Sequence, residues 1–217
     1  MSEKVPAEFL LPTFEYRTVF VDPIFSAFEK PTGIAHVLYH ALSEWNPTLD
    51  YINLRSIPST ANDLQVSCDL FSKRLTFAVQ VNGCVLTVTN TNWSEAELIQ
   101  SIVKKGVGAV EAITGGVVKT QTALLAMHVR GPGQSRQERM ERFRPSIGLP
   151  VRKESGFGFC AYGEDISWLI DLSAVYADAL FVRIFRIFDA STSIEEISTT
   201  LYNDEEKLLD LLELSIV

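Results

Sequence analysis

The chain has 217 residues, 47% of them hydrophobic, and a formal net charge of −8. That length supports one core or two fused ones, while the acidic balance argues against a surface given over wholly to nucleic acid. No apolar run approaches the roughly 20 residues of a spanning helix, so no transmembrane segment is expected.

The start "MSEKVPAEFLLP" lacks the basic beginning and the long apolar run of a secretory signal. Cys68, Cys84 and Cys160 are odd in number and lie in apolar, strand-like stretches, which suits buried free thiols in a reducing compartment. A cytoplasmic protein is the expectation.

In chain order, "TFEYRTVFV" at 13–21 alternates as a half-buried strand does. Asp22 and Pro23 then spell a helix N-cap with proline at the first position, and Pro31 interrupts that helix. A second helix from Thr32 carries Ile34, Val37, Leu38, Ala41, Leu42 and Trp45 on one stripe. From 51 to 90 the period changes to two. "YINLRSI" supplies one strand, and the loop "FSKR" sets Leu70 against Leu75, Cys68 against Phe77 and Val66 against Val79. Asn82 and Gly83 read as a two-residue hairpin turn, which would set Val81 against Cys84, Val79 against Leu86 and Phe77 against Val88. Ser94 with Glu97 spells a capping box. The helix it opens carries Leu98, Ile99, Ile102, Val103, Val107, Val110 and Ile113 and ends at Gly115 and Gly116. Gly106 and Gly108 inside it mark a kink or a close approach to the sheet, not a nucleotide fingerprint, since no strand precedes them directly.

After residue 117 the order of elements repeats. "VVKTQTALLAMHV" is a strand, Ser135 caps a short helix, strands follow at about 157–163, 166–173 and 179–188, and Ser193 with Glu196 caps the closing helix. "LFVRIFRIF" suits an amphipathic helix by its arginine spacing, but its Phe, Val and Ile content makes it a strand. The expected fold is therefore α+β: antiparallel β-meanders with helices on one face, a pseudo-duplicated strand-helix-meander-helix architecture whose halves are 1–116 and 117–217, fused into one unit. This element order resembles, in topology, the duplicated arrangement of TATA-binding-protein-like folds. The resemblance implies the fold alone: no residue motif accompanies it, no functional residue is carried over, and this chain is acidic where such DNA clamps are basic.

Chemistry is hard to find. His36 and His40 lie four apart on a helix, a spacing that can bind zinc once a third ligand arrives, but no third ligand is evident and they lie opposite the apolar stripe, so they read as solvent-facing. His128 on its strand reads as structural. Asp69 and Asp171 occupy similar contexts and could divide acid and base work, but the parity of Asp69 places it on the solvent face. No catalytic residue, metal ligand or cofactor site is assigned, and the balance leans away from an enzyme. The sequon Asn92-Trp93-Ser94 is idle without secretion.

Composition departs from the rest in one place. Residues 128–153 hold seven Arg or Lys against two Glu, a local +5 against −13 for the remainder. Arg136, Arg139, Arg142 and Arg144 form forks suited to carboxylates and phosphates, or else a solvated helix face. Residues 194–217 carry seven acids and one lysine, so self-association is a second expectation. The leading functional reading is a non-catalytic binding or adaptor protein that meets a protein partner, or another copy, through those four arginines. One alternative is a small-molecule protein or unrecognised enzyme with an apolar pocket lined by Phe157, Phe159, Tyr162 and Trp168. Another is nucleic-acid binding through 136–144.

Overall fold

A computed structural model describes residues 5–55, 64–132, 138 and 158–215. The fold is α+β, with an antiparallel sheet and three α-helices among the described residues. The strands are β1 (Val5–Pro6), β2 (Glu8–Phe20), β3 (Ile52–Arg55), β4 (Gln65–Leu70), β5 (Leu75–Gln80), β6 (Gly83–Thr89), β7 (Val118–Arg130), β8 (Phe159–Tyr162), β9 (Ile166–Leu172), β10 (Leu180–Asp189) and β11 (Leu214–Ser215). The helices are α1 (Pro31–Ala41), α2 (Ala96–Thr114) and α3 (Ile194–Leu211). "LFVRIFRIF" is strand, as its β-branched and aromatic content requires.

The chain divides into two compact units that do not follow a cut at 116. One comprises Phe14–Ala123 with Ile187–Ile197, the other Met1–Thr13, Leu124–Arg186 and Ser198–Val217. Strands β2, β7 and β10 and helix α3 each contribute residues to both, so no single cut in the sequence separates them.

In the Phe14–Ala123 unit the strand order is β3-β4-β5-β6-β2-β7. The β4–β5 register is the expected one, with Leu70 opposite Leu75, Cys68 opposite Phe77 and Val66 opposite Val79. The next hairpin differs by two residues: Phe77 faces Leu86 and Val79 faces Cys84. Val81 and Asn82 make the turn, and Gly83 belongs to β6. A two-residue slip keeps every side chain on its face, so the apolar pattern cannot detect it. Gly83 is needed for another reason. A Cβ there would stand 1.8 Å from the Thr18 carbonyl oxygen, so the glycine lets β6 approach β2 rather than supplying a positive φ, which neither it nor Asn82 has.

The core of this unit lies between that face and the helices. Val66, Cys68, Phe77, Val79 and Leu86 are fully enclosed, as are Ile34 and Leu38 of α1 and Ile102 and Val110 of α2. A Cβ on Gly106 would meet the Phe77 ring at 2.6 Å, so this glycine marks the close approach of helix to sheet that its helical position suggested. Gly115 ends α2 in the left-handed region at φ 66°.

Three helix starts depart from expectation. Asp22 caps nothing: the turn that follows is a 3₁₀ segment, Phe25–Glu29, and Pro31 opens α1 at its first turn instead of interrupting a helix. At Ser94 the capping residue is Asn92, in extended conformation, whose Oδ1 accepts the Ser94 N–H at 3.0 Å and also the Ser94 hydroxyl. A 3₁₀ turn over Trp93–Glu95 then leads into α2. The cause lies outside the helix, because Arg74 forks the adjacent Glu95 carboxylate at 2.5 and 3.1 Å and fixes the chain there. That guanidinium's hydrogen bonds hold the Glu95 carboxyl below the usual range. Ser193 does form the expected box: its Oγ accepts the Glu196 N–H at 3.2 Å, and the Glu196 carboxylate accepts the Ser193 N–H at 2.9 Å. Ser135 lies outside the described residues. Ser193→Ala is expected to cost about 0.5–2 kcal/mol in a urea melt, whereas Ser94→Ala should cost a few tenths and Asn92→Ala should take the capping penalty. Equal losses at Ser94 and Ser193 would refute this assignment.

In the other unit the described strand order is β2-β7-β10-β9-β8, and β1 pairs parallel with β11. Its core includes Met127, Ile170, Val182, Ile184, Leu201 and Leu208. Arg186 forks Asp204 of α3 at 2.5 and 3.0 Å.

The cysteines split. Cys68 and Cys84 are buried, but Cys160 on β8 is exposed, contrary to expectation, because β8 ends its unit's strand order. Burial, the larger effect, and the nearby Asp69 push the Cys68 thiol up to about 11; burial pushes Cys84 up to about 12 against a hydrogen bond with Thr18. A thiol reagent at about pH 8 should therefore modify Cys160 quickly and the other two only after denaturation, since the thiolate is the nucleophile. Fast labelling of Cys160→Ser in the native state would contradict this.

Candidate functional site: a groove beside an edge strand

Among the described residues β3 ends the strand order of the Phe14–Ala123 unit and pairs with β4 alone. Ile52 lies opposite Cys68 and Leu54 opposite Val66, so both side chains share the core-facing side of the sheet. No further strand covers them in that order, and Leu54 remains 42% exposed. Helix α1 packs on this same side. Its Ile34 and Leu38 are enclosed, and the adjacent stripe at 3- and 4-residue spacing, Thr32, Ala35, His36, Tyr39 and His40, turns toward β3. Leu49, in the 3₁₀ turn before β3, is 76% exposed. Together these segments line a groove of about 510 Å³.

Several contacts hold the groove's walls. At the end of α1, Lys105 of α2 pairs with Glu44 and lies 5.1 Å from the centre of the Trp45 ring. On the opposite side of the sheet, Asn53 of β3 donates to Asp69 at 3.3 Å, and Thr76 donates to the same carboxylate at 2.7 Å. Asp69 is therefore not a surface residue. It has the outward parity expected of it, but strands on both sides reduce its exposure to 9% and supply its hydrogen bonds. That carboxylate ties β3 to β4 and β5.

Among the described residues the lining contains no carboxylate, Lys or Arg. It offers apolar surface, the Tyr39 phenol and two exposed imidazoles whose ring centres are 4.3 Å apart, edge to face. The Tyr39 and His40 ring centres are 5.6 Å apart. Among the described residues no cluster of three or more His, Cys, Asp or Glu is placed to hold a metal. The described lining residues offer a surface for binding.

Of the residues selected from the sequence, Arg136, Arg139, Arg142, Arg144 and Phe157 lie outside the described residues. The other three pocket candidates are divided between the two faces of the sheet. The β8–β9 ladder sets Phe159 against Ile170 and Ala161 against Trp168, which places Phe159 and Trp168 on one face; Tyr162, opposite Ser167, is on the other and is 82% exposed. His128 packs its ring 5.2 Å from Tyr176 and 5.3 Å from Phe181, in keeping with a structural role. Asp171 accepts the Leu172 N–H at 2.7 Å. His36 and His40 face solvent as expected. Sequence reading passed over Tyr39, Leu49 and Leu54. The one available signal was Leu49, an apolar residue inside the turn-forming stretch "NPTLDY".

A second polar group also escaped it. Tyr16 donates to the Gln121 side-chain oxygen, and the Gln121 amide reaches the carbonyls of Asp189, Ala190 and Thr192 at 2.9, 3.1 and 2.8 Å. Burial raises the Tyr16 phenol far above its ordinary value. This network anchors the turn before the Ser193 cap and is structural.

No protein-family model matches the chain. No curated protein matches it. Among solved structures it is similar to Methanococcus jannaschii TBP, at 14% identity and a TM-score of 0.35 over 96% of this chain and 98% of that one. A likeness at that level does not bear on function.

Proposed function

We propose that this is a non-catalytic binding protein that takes an extended segment of a partner protein as an added strand along β3. One observation carries the reading: β3, at the edge of the sheet among the described residues, borders a groove formed by its own Ile52 and Leu54 and by the side of α1. A strand added there would pair with the main-chain groups that β3 leaves without a strand partner among the described residues, and every second side chain would enter the groove; affinity comes from the backbone and selectivity from the pockets. A short edge strand is also how a protein limits indiscriminate pairing. The four arginines at 136–144 are proposed as a further contact for an acidic partner, and the three free thiols support a reducing, cytoplasmic setting. No helix among the described residues is long and apolar enough to cross a membrane.

The test is selection of extended peptides with alternating apolar residues against the full chain, followed by hydrogen exchange. Bound peptide should slow exchange within 52–55, and both Leu54→Glu and Ala35→Trp should weaken binding about tenfold or more. Peptides indifferent to both changes would overturn the reading. Groove-dependent binding of a small apolar dye, with no peptide selected, would favour the small-molecule alternative instead.

A further inference from the structure

We infer that His36 and His40 form a two-imidazole site for a divalent transition-metal ion of the nickel or zinc class. The i and i+4 spacing stacks the two side chains on one helix face, and the structure adds what spacing alone cannot: the rings touch, with centres 4.3 Å apart, and both border an open groove. The charge environment favours a cation. Among the described residues the groove lining has no Lys or Arg to repel one, and the chain as a whole carries −8. Neutral imidazole suits zinc and nickel, whereas magnesium and calcium prefer oxygen ligands. Two protein ligands leave coordination positions open to water or to a donor on a segment docked in the groove. An anion is the poorer occupant, because it would bring its own negative charge into an acidic molecule and find no arginine or lysine among the described lining residues.

The site stands independently of strand addition, since the metal alone is the probe. The full chain is titrated calorimetrically with Ni²⁺ and Zn²⁺ at about pH 7.5, with Mg²⁺ as the oxygen-preferring control. One submillimolar Ni²⁺ site is expected, and Ni²⁺ should selectively broaden the NMR signals of the two imidazoles. His36→Gln and His40→Gln should each weaken binding by about tenfold or more; both residues are exposed, so folding should be unaffected. Cys160→Ser should leave the affinity unchanged. Affinity that survives both histidine changes, or that disappears with Cys160→Ser, would overturn the inference, as would the absence of a submillimolar site.

Discussion

Val79→Asp is expected to abolish folding or to remove more than about 4 kcal/mol in a urea melt. Val79 is completely enclosed, between Val66 on β4 and Cys84 on β6. A carboxylate there would lose its hydration without gaining a partner. Desolvation raises the pKa of such a group, so the folded state holds its proton more tightly than the unfolded chain does. The deficit should therefore be smallest in mild acid and grow as pH rises toward neutrality. Thr87, half-exposed and opposite Thr76 on the outer face, is the control. Thr87→Asp should cost no more than about 1 kcal/mol. Equal losses at the two positions would mean that the faces of this meander are wrongly assigned.

Arg186→Met should cost about 3–5 kcal/mol. Its partner Asp204 is only 1% exposed and receives both arms of the guanidinium, while Lys207 stands 3.8 Å away and is itself largely in solvent. Removing the arginine leaves a buried carboxylate with one distant cation. Arg186→Lys should recover part of the loss, because a point charge cannot reproduce the two parallel hydrogen bonds. The double change Arg186→Met with Asp204→Leu should recover most of it, since a pair of well-packed apolar residues can replace a buried ion pair at little cost. A double variant as unstable as Arg186→Met alone would show that the pair is not where the energy lies.

Local features of the chain were legible wherever their cause was local. Period-two alternation from 64 to 89 identified the meander and its buried face, and Gly115 and the Ser193–Glu196 box marked helix ends, because backbone geometry and nearest-neighbour hydrogen bonds decide these. Where a distant residue intervened, the same reasoning missed. The β5–β6 hairpin turns at Val81 and Asn82 because Gly83 must lie against the Thr18 carbonyl of another strand. Ser94 yields its cap to Asn92 where Arg74 from the β4–β5 loop holds Glu95. Asp69 has the parity of a surface residue and the burial of a core one, because Asn53 and Thr76 close over it from both neighbouring strands.

The groove shows the same division. His36 and His40 declare their shared face by spacing alone, but Leu49 and Leu54 join them only when α1 packs on the sheet and β3 takes its edge. Which face each side chain occupies follows from a period of two or 3.6 residues, written into the chain. Which strand is left at the edge, and which helix flank stands beside it, depends on the order of strands in the sheet. That order is set by contacts between residues far apart in the chain, so it appears only in the folded molecule.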